Sequence, residues 1–410
     1  PLPPKHHPRP LRHARHTFLN VYRRLFSIVF VLNIVGVGIL LWRYDGHYNL
    51  VFLGHLATAA AANIMIALLA RQDYIVNAMF RICWSFPLSS PLRLRRILAK
   101  VYEYGGVHSG AAVSSVLWFA LFTGFLTSQF VNQGLLKSPA VITTTYILLL
   151  LLVSIVVTAY PHFRFSSHNT FENFHRWGGW FSLAMFWAEL VLFIHAQTPD
   201  IGPGLVRQPA FYFLLVSSLH SILPWLRLHK LHIAAEKLSN HAVRLHFTEP
   251  VPLFVGLRIS DAPLKEWHSF ACIPARSGSG GSVLISNAGD WTKKTIQKPR
   301  PYYWVKGVPV TGVLCMARLF RKVVIVTTGS GIGPCLAVIQ DIPSRGTACR
   351  VVWSTPSPLQ TYGSEICDAV KAVDCDAIII DTRKNGRPDL VAIAFDLYCR
   401  EKAEAVFIIS

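Results

Sequence analysis

Acidic residues are scarce in this chain of 410 residues, with 21 Asp and Glu against 40 Lys and Arg, and all charged residues together make up only 15%. Hydrophobic residues make up 52%, and the mean hydropathy is +0.39. This composition excludes an ordinary soluble protein of this length and predicts a polytopic membrane protein. The net charge of +19 does not predict nucleic acid as a partner, because Lys and Arg collect beside apolar stretches and do not alternate with aromatic residues.

The eight cysteines form no CxxC pair and no zinc-like spacing, so we expect reduced thiols. No internal repeat or pair of broken helices stands out, which leaves a transporter with little support. No cleavable signal peptide is visible, and the chain starts at Pro1 rather than Met, which is typical of a fragment or a processed form.

Six apolar segments are each long enough to cross a bilayer core of about 30 Å. They run over residues 25–42, 48–70, 107–130, 141–160, 177–196 and 209–226. We therefore expect a basic cytosolic segment over 1–24 and a six-helix transmembrane domain over 25–226, with the lipid bilayer as a partner.

The basic residues predict the orientation of these helices. With a cytosolic amino terminus, the outer loops hold three basic residues, Arg43, Lys137 and Arg207. The inner segments before the last helix hold fourteen: Lys5, Arg9, Arg12, Arg15, Arg23, Arg24, Arg71, Arg81, Arg93, Arg95, Arg96, Lys100, Arg164 and Arg176. This positive-inside asymmetry places both termini in the cytosol.

A basic segment between the second and third helices reads PLRLRRILAKVYEY, from Pro91 to Tyr104. Leu and Ile alternate with Arg at helical spacing, which predicts a helix along the inner membrane surface. Because Pro91 and the Arg cluster also suit a turn, a solvated basic loop is the alternative.

Beyond Trp225 the sequence predicts two further domains. Short alternating runs between His241 and Ser286, separated by Pro, Gly, Ser and Asp, indicate a small antiparallel β-barrel over 227–318. From Lys322 onward, apolar strands alternate with helical stretches, which indicates a parallel α/β sheet over 319–410. The last apolar run stops at Ser410, so the sequence leaves open whether a final strand or tail of this domain follows.

A glycine-rich turn follows the first strand of this sheet, in VIVTTGSGIGPCLAVI from Val324 to Ile339. Glycines between a buried strand and a helix start let the backbone come close to a phosphate, which the helix dipole favours, so a pyridine nucleotide is the natural ligand. The alternative is a tight strand-to-helix connection without a ligand.

The order of these three parts resembles the ferric reductase and NADPH oxidase superfamily. The segments EYGGVHSG (Glu103 to Gly110), HNTFENFHRWGGW (His168 to Trp180) and GSGIGP make the chain most similar to fungal ferric-reductase-like integral membrane proteins of the TmpA-like type. The resemblance covers nearly the whole chain. It implies a transmembrane domain followed by a ferredoxin-reductase-like module with an FAD-binding barrel and an NAD(P)-binding sheet.

In that superfamily the barrel holds FAD through a His-Pro-Phe-Thr segment. The matching residues here are His268, Ser269 and Phe270, followed by Ala271. Trp291 and Thr292 resemble an element that packs beneath the cofactor, and VKGVPVTGVL (Val305 to Leu314) stands where the pyrophosphate loop is expected. A barrel that has lost its flavin is the alternative, with His268 bonded to a backbone carbonyl.

The resemblance also assigns residues to NADPH. Those that match the phosphate turn are Thr328, Gly329, Gly331, Gly333 and Pro334, and those that match the later ribose-side motif are Gly386, Arg387 and Pro388. Arg383, Lys384 and Arg387 near that motif favour NADPH over NADH, because they suit a 2′-phosphate. A solvated basic turn is the alternative.

Family members hold two stacked haems with two His on the third helix and two on the fifth. Here only His108 and His175 match, which implies at most a single inner haem b with these two residues as iron ligands. The outer positions hold Phe122 and Ala188 or Glu189, so no outer haem of the family kind can form. Glu189 is a candidate proton or substrate site, unless it simply pairs with a polar group.

The resemblance and these departures from it leave two hypotheses. The first is a membrane flavo-oxidoreductase that takes electrons from cytosolic NADPH through FAD, by way of a single haem, to an acceptor the sequence does not identify. The second is a degenerate relative that binds nucleotide without turnover and acts as a sensor or signalling scaffold.

Overall fold

The computed structural model describes residues 2–4, 7–132, 138–275, 278–345 and 348–410, except for the side chains of 342–345. The chain forms two compact units. The first, here called the bundle, comprises Pro8–Gln72 and Glu103–Leu223. The second, the barrel–sheet unit, combines Asp73–Tyr102 with Pro224–Ser410.

The helices in chain order are α1 Arg9–His13, α2 Val21–Tyr44, α3 Leu50–Leu69, α4 Asp73–Trp84, α5 Leu92–Leu98, α6 Gly105–Asn132, α7 Pro139–Thr158, α8 Pro161–Ser166, α9 His168–His195, α10 Ile201–Val206, α11 Pro209–Ile222, α12 Asp290–Gln297, α13 Ile332–Arg345, α14 Pro358–Tyr362, α15 Ser364–Val373, α16 Thr382–Asn385 and α17 Leu390–Arg400. The strands are β1 His229–His232, β2 Ala234–Lys237, β3 Ala242–Phe247, β4 Val255–Ser260, β5 His268–Pro274, β6 Gly281–Ser286, β7 Tyr302–Val305, β8 Val310–Thr311, β9 Lys322–Thr328, β10 Ala348–Thr355, β11 Ile378–Asp381 and β12 Ala405–Ile409.

The six predicted apolar helices are confirmed in the bundle as α2, α3, α6, α7, α9 and α11. In the part of the chain that the structure describes, six helices are long and apolar enough to cross a membrane. Their shared core contains aromatic and aliphatic side chains such as Phe52, Phe119, Phe122 and Leu148, each at most 2% exposed. Because apolar side chains cover both the core and much of the outer surface, length and composition suit a lipid environment.

Glycines allow helix α6 to pack closely on helix α2. A Cβ atom on Gly106 would lie 2.1 Å from the carbonyl oxygen of Tyr22, and one on Gly110 would lie 2.9 Å from that of Phe26. Small residues at a helix interface permit this backbone approach. The GGVHSG part of the sequence motif therefore has a packing role in addition to any role of its histidine.

The barrel is a nearly closed antiparallel sheet with strand order β1-β7-β4-β5-β6-β3-β2, and β8 pairs with β4. Its two end strands, β1 and β2, are consecutive in the chain and separated only by Ile233, which brings the ends of the sheet together. The predicted strands β3 to β6 are confirmed. The sequence patterns did not predict β1, β2, β7 and β8, because these strands are short and partly polar.

The second sheet is parallel, with strand order β11-β10-β9-β12, and all four strands were predicted. The central strand β9 is buried, with Val323 to Val326 at most 2% exposed, as expected for a parallel strand covered on both faces. The order reverses beside β9, since β10 lies on one side of it and β12 on the other. Such a switch point leaves a crevice at the carboxyl ends of the strands.

Residues Asp73–Tyr102, here called the covering segment, belong to the barrel–sheet unit although they connect two helices of the bundle in sequence. Helix α4 packs near β8, where Asn77 donates a hydrogen bond from Nδ2 to the carbonyl oxygen of Pro309 at 2.9 Å. Helix α5 contacts the parallel sheet region through Arg95. The sequence analysis had placed these residues within the predicted domain 25–226.

Candidate functional site

The glycine turn lies at the carboxyl end of the central strand of the parallel sheet. Strand β9 ends at Thr328, a short 3-10 turn covers Gly329–Gly331, and helix α13 begins at Ile332. Gly329 has φ of +50°, a left-handed conformation that favours glycine. The backbone N–H groups at the start of α13 therefore lie beside the crevice between β9 and β12, where anions are favoured.

Part of the need for glycine in this turn comes from packing. A Cβ atom on Gly331 would lie 2.5 Å from Thr327 Oγ1 and 2.7 Å from the carbonyl oxygen of Ile409, while one on Gly333 would meet Leu284 Cβ at 3.4 Å. Gly331 thus allows the turn to approach the end of strand β12. The pattern alone could not separate this requirement from close approach to a phosphate.

A shallow apolar groove of about 390 Å³ lies beside this turn. Thr328 borders it at one side and Leu390, the first residue of α17, at another. Leu390 lies two positions after Pro388, the last of the predicted ribose-side residues, which are mostly exposed. The fold therefore brings the start of the predicted phosphate turn and the end of the Gly386 to Leu390 run to one groove.

The predicted ribose-side residues form a connection between two helices. Gly386 ends α16 with φ of +70°, and Asp389 caps α17 by accepting hydrogen bonds from the backbone N–H groups of Val391 and Ala392, both at 3.0 Å. Arg387 is exposed, as are Arg383 and Lys384. The exposed basic side chains are compatible with binding a phosphate group, and they are equally compatible with a basic turn that contacts only water.

In the barrel, three of the residues predicted to contact FAD form one aromatic cluster. The His268 and Trp291 rings are stacked, with centroids 4.2 Å apart and planes at 25°, and the Phe270 ring lies 5.9 Å from Trp291 at 24°. Thr292 instead holds the start of α12, because the backbone N–H groups of Ala288 and Gly289 donate to its Oγ1. Ser269 is exposed on strand β5.

A buried carboxylate occupies the barrel loop that was expected to bind pyrophosphate. Asp73, at the start of α4 and 3% exposed, forms an ion pair with Arg258 and accepts a hydrogen bond from the backbone N–H of Val308. A Cβ atom on Gly307, whose φ is +73°, would lie 2.4 Å from Asp73 Oδ2. Asn77 Oδ1 accepts from the N–H of Thr311 at 2.8 Å.

The sequence analysis did not identify Asp73 or Asn77 as site residues. The available signal was an acidic residue within an inner loop otherwise rich in basic residues. Burial raises the pKa of Asp73 above its usual range, and the Arg258 guanidinium opposes this shift. The donors around the barrel loop thus bind an anionic group, the carboxylate of Asp73.

Helix α5 carries Arg95 into a buried contact with the parallel sheet region. Arg95 is 4% exposed and forms two hydrogen bonds with the Glu404 carboxylate, at 2.8 and 3.0 Å, and one with the carbonyl oxygen of Leu319 at 2.6 Å. The hydrogen bonds from Arg95 hold the pKa of Glu404 below its usual range. The expected membrane-surface helix therefore directs one of its arginines into protein rather than toward lipid.

Within the bundle, His108 on α6 and His175 on α9 lie close together, with ring centroids 6.2 Å apart. His108 Nδ1 is 2.8 Å from the carbonyl oxygen of Ala67; because a carbonyl only accepts, Nδ1 carries the proton and Nε2 keeps its lone pair. Two imidazoles on one metal have centroids roughly 6 Å apart, since each metal–nitrogen bond is about 2 Å. The separation of the two rings is thus compatible with one haem iron held by both imidazoles.

Glu189 lies in the bundle and is 4% exposed. Its two carboxyl oxygens are hydrogen-bonded by the Thr144 and Thr145 hydroxyls of α7, the latter at 2.7 Å. Phe122, on the facing helix α6, lines the same small apolar cavity. The carboxyl group is therefore paired with polar groups, as the simpler interpretation of the sequence expected.

Metal-binding clusters are not apparent in this fold: no group of three or more His, Cys, Asp or Glu is placed to hold a metal ion among the residues that the structure describes. All eight cysteines are free thiols, as predicted. Burial raises the pKa of Cys272, Cys335 and Cys349 to about 12 in each case, so these thiols are unreactive at neutral pH.

The antiparallel barrel followed by the parallel sheet has the architecture of a ferredoxin-reductase-like module, and it follows the six apolar helices in the chain. Residues 313–410 match the family model described as the C-terminal domain of adenylate-forming reductase 03009. Adenylate-forming reductase 03009 of Coprinopsis cinerea is 42% identical to this chain over 419 residues, which covers 100% of the chain and 39% of that protein. Adenylate-forming reductase 06235 of the same fungus is 42% identical over 416 residues, with 100% and 40% covered.

The chain thus spans about two fifths of the length of these curated relatives, and neither is named as a ferric reductase.

Solved structures are less similar to this chain. A mutant of ferredoxin-NADP⁺ reductase from Plasmodium falciparum has a TM-score of 0.34 at 10% identity, covering 44% of this chain and 85% of that one. A flavohemoglobin from Malassezia yamatoensis has a TM-score of 0.34 at 11% identity, covering 78% and 83%. Scores of this size support no inference about function.

Proposed function

We propose that this chain is the electron-transferring part of a membrane-bound flavo-oxidoreductase of the ferric-reductase-like type, which takes electrons from cytosolic NADPH through FAD. The observation that carries the proposal is the glycine turn Gly329–Gly331 at the carboxyl end of β9, beside the switch point of a parallel sheet and followed by a helix start. Both termini and the whole barrel–sheet unit would face the cytosol, and the six apolar helices would lie in the bilayer.

NADPH would bind with its phosphates at the start of α13, where backbone N–H groups are free of intrahelical partners. Thr328, Gly329, Gly331, Gly333 and Pro334 would shape this site. Gly386, Arg387 and Pro388 would lie on the ribose side. Because Arg387 is exposed and unobstructed by a covering element, its guanidinium would be available to a 2′-phosphate, which favours NADPH over NADH.

The aromatic cluster of the barrel would hold the flavin ring. His268, Phe270 and Trp291 offer stacked faces, Ser269 lies on the same strand, and Thr292 fixes the helix that carries Trp291. A bound flavin supplies the conversion of a two-electron hydride into single electrons. The role of the protein residues is to orient the ring and, through Arg258 and the loop at Gly307, to bind its phosphates.

His108 and His175 would hold the iron of a single haem b, which would carry single electrons. The hydrogen bond from His108 Nδ1 to Ala67 fixes the tautomer that presents Nε2 to iron. The guanidinium of Arg71 acts electrostatically on both rings and would balance the negative charge of a haem propionate. No outer haem is expected, since Phe122 occupies the position of a family ligand.

The names of the relatives describe both adenylate formation and reduction. We assign the reductive part to this chain, because its parallel sheet and glycine turn suit a pyridine nucleotide. The remaining three fifths of a relative's length would then carry adenylate formation. The electron acceptor is not assigned.

The test is an absorption spectrum of the detergent-purified protein before and after anaerobic addition of NADPH. We expect flavin absorption and a haem Soret band that both change on reduction, with the Soret band lost in His108→Ala and in His175→Ala. His55→Ala is the matched control, since His55 is an exposed helix histidine of the same bundle. Protein that retains neither flavin nor haem and does not oxidise NADPH would contradict the proposal.

A second candidate function is a membrane sensor or signalling scaffold that binds nucleotide without turnover. The Asp73 carboxylate in the barrel's anion site favours it, because a filled site needs no cofactor. Sustained NADPH oxidation with an added acceptor, abolished in Gly331→Val, would exclude the scaffold.

A further inference from the structure

Three positively polarised groups of the barrel converge on one point at the loop Val305–Leu314. They are the guanidinium of Arg258, the ammonium of Lys306 and the backbone N–H of Val308, all of which act on the Asp73 carboxylate. Lys306 is held between the rings of Trp225 and Trp267, 4.2 and 4.3 Å from their centroids. Arg258 lies opposite Ser269 in the strand register, so this point is next to the predicted flavin residues.

Helix α4 supplies acceptors to two backbone N–H groups of the loop and to Arg258. Asp73 accepts from Arg258 and from the N–H of Val308, and Asn77, one turn later, accepts from the N–H of Thr311 at 2.8 Å. The absence of a side chain at Gly307 lets the carboxylate come against the backbone. A carboxylate and an amide oxygen thus take the positions that two phosphate oxygens would take.

We propose that helix α4 is a built-in competitor for the phosphate-binding part of the barrel, with Asp73 and Asn77 standing in for the phosphate oxygens of a flavin nucleotide. The inference rests on the proposed flavin site and adds a form of regulation to it. A flavin nucleotide binds fully only when α4 leaves the loop, because the covering segment and the phosphates compete for the same donors.

The packing of α4 is compatible with such a movement. Of its twelve residues only Asp73, Val76 and Phe80 are buried. Its other contacts are a few hydrogen bonds, the ion pair with Arg258 and the cation–π contacts of Tyr74 and Trp84, which is a weaker attachment than that of a fully buried core helix. A phosphate can replace the contacts in which α4 accepts a hydrogen bond, whereas the hydrogen bond that Asn77 Nδ2 donates to the carbonyl oxygen of Pro309 would have to break.

The experiment measures ligand binding to the full chain in detergent, by calorimetry and by quenching of flavin fluorescence, with FAD, riboflavin and inorganic pyrophosphate as separate probes. We expect Asp73→Ala to bind FAD and pyrophosphate at least about tenfold more tightly than the unmodified chain, because the group that accepts from Arg258 and from the N–H of Val308 is removed. Riboflavin, which has no phosphate, should bind both proteins equally. Glu236→Gln, at an exposed acid on strand β2 paired with His246, is the matched control and should change nothing.

The outcomes separate this inference from the proposed function. Tighter binding of pyrophosphate by Asp73→Ala, without binding of FAD to either protein, would support the competitor and contradict the flavoprotein. Equal affinity of both proteins for FAD and pyrophosphate would overturn the competitor. If Asp73→Ala does not fold, hydrogen exchange in the unmodified chain decides the question: FAD should increase exchange in Asp73–Trp84, and unchanged protection with FAD bound would overturn the inference.

Discussion

Two loops of the barrel–sheet unit were predicted to bind phosphate, and the structure treats them differently. The glycine turn Gly329–Gly331 lies open beside a groove at the end of a parallel strand. The barrel loop Val305–Leu314 is closed by helix α4, whose Asp73 and Asn77 accept hydrogen bonds from its donors. A match to a binding motif therefore identifies hydrogen-bond donors, whereas contacts with the rest of the chain determine whether those donors are available to a ligand.

The covering segment creates this difference, and it is attached at both of its ends. Helix α4 contacts the barrel through Asp73 and Asn77, while helix α5 contacts the region of the parallel sheet through Arg95 and Glu404. Releasing either end of the covering segment should make the donors of the barrel loop more available, as those of the glycine turn are.

The largest effect should come from Arg95→Ala, which removes the buried attachment of α5. We expect a loss of about 3 kcal/mol in the free energy of unfolding of the barrel–sheet unit, because Glu404 and the carbonyl oxygen of Leu319 lose a buried charged partner. The measurement is denaturant unfolding followed by tryptophan fluorescence. Arg93→Ala, at an exposed arginine of the same helix, should change stability by less than about 0.5 kcal/mol. Equal effects of the two substitutions would mean that the buried contact does not hold the segment.

A smaller effect is expected at the open loop. Gly331→Ala places a methyl group within 3.0 Å of Thr327 Oγ1 and of the carbonyl oxygen of Ile409, so the turn must shift, at a cost of about 2 kcal/mol. We expect weaker NADPH binding and a lower melting temperature together. Gly289→Ala, where nothing lies within 4 Å of the new Cβ atom, is the control. Retention of full NADPH affinity in Gly331→Ala would show that this turn does not shape the nucleotide site.

The smallest effect is a difference in pH dependence between the two ends of the covering segment. The pKa of Glu404 is lowered by Arg95. The contribution of Glu404 to the free energy of unfolding is therefore complete above the ordinary glutamate pKa of about 4.3, and it is lost as the pH falls through the lower pKa of the folded state. The pKa of Asp73 is raised by burial. The contribution of Asp73 to the free energy of unfolding is therefore complete below the ordinary aspartate pKa of about 3.9, and it falls as the pH rises through the higher pKa of the folded state.

Below about pH 4 we therefore expect α5 to lose protection from hydrogen exchange before α4 does. Exchange measured over a range of pH and corrected for intrinsic rates checks this order. Arg95→Ala should remove the acid sensitivity of α5. Simultaneous loss of protection in both helices would mean that the covering segment detaches as a single unit. The attachment of its two ends would then not depend separately on the protonation of Asp73 and Glu404.

Much of the fold could be predicted because its signals are local. Six apolar runs gave the six long helices, alternating runs gave strands β3 to β6, and buried runs gave all four strands of the parallel sheet. The aromatic cluster of His268, Phe270 and Trp291 and the closeness of His108 and His175 also agree with the site residues named from the resemblance. Their roles in binding remain predictions.

Other features could not be predicted because they depend on contacts between distant residues. Gly331 is needed beside Ile409, 78 positions later in the numbering, and no local pattern marks that approach. The sequence pattern around Arg95 is that of a surface arginine beside lipid, and its partner Glu404 lies far away in the chain. The short strands β7 and β8 form only because neighbouring strands supply their hydrogen bonds.

Hydrophobic periodicity and composition are properties of neighbouring residues, so they specify the classes of structure in this protein: an apolar six-helix part, an antiparallel barrel and a parallel sheet with a glycine turn. Which predicted loop is open and which is filled depends on contacts that form only when the chain folds. Asp73 precedes Val308 by 235 positions, and the carboxylate reaches that backbone N–H only because folding brings helix α4 against the barrel, where the surrounding positive groups offset part of the cost of burying a negative charge.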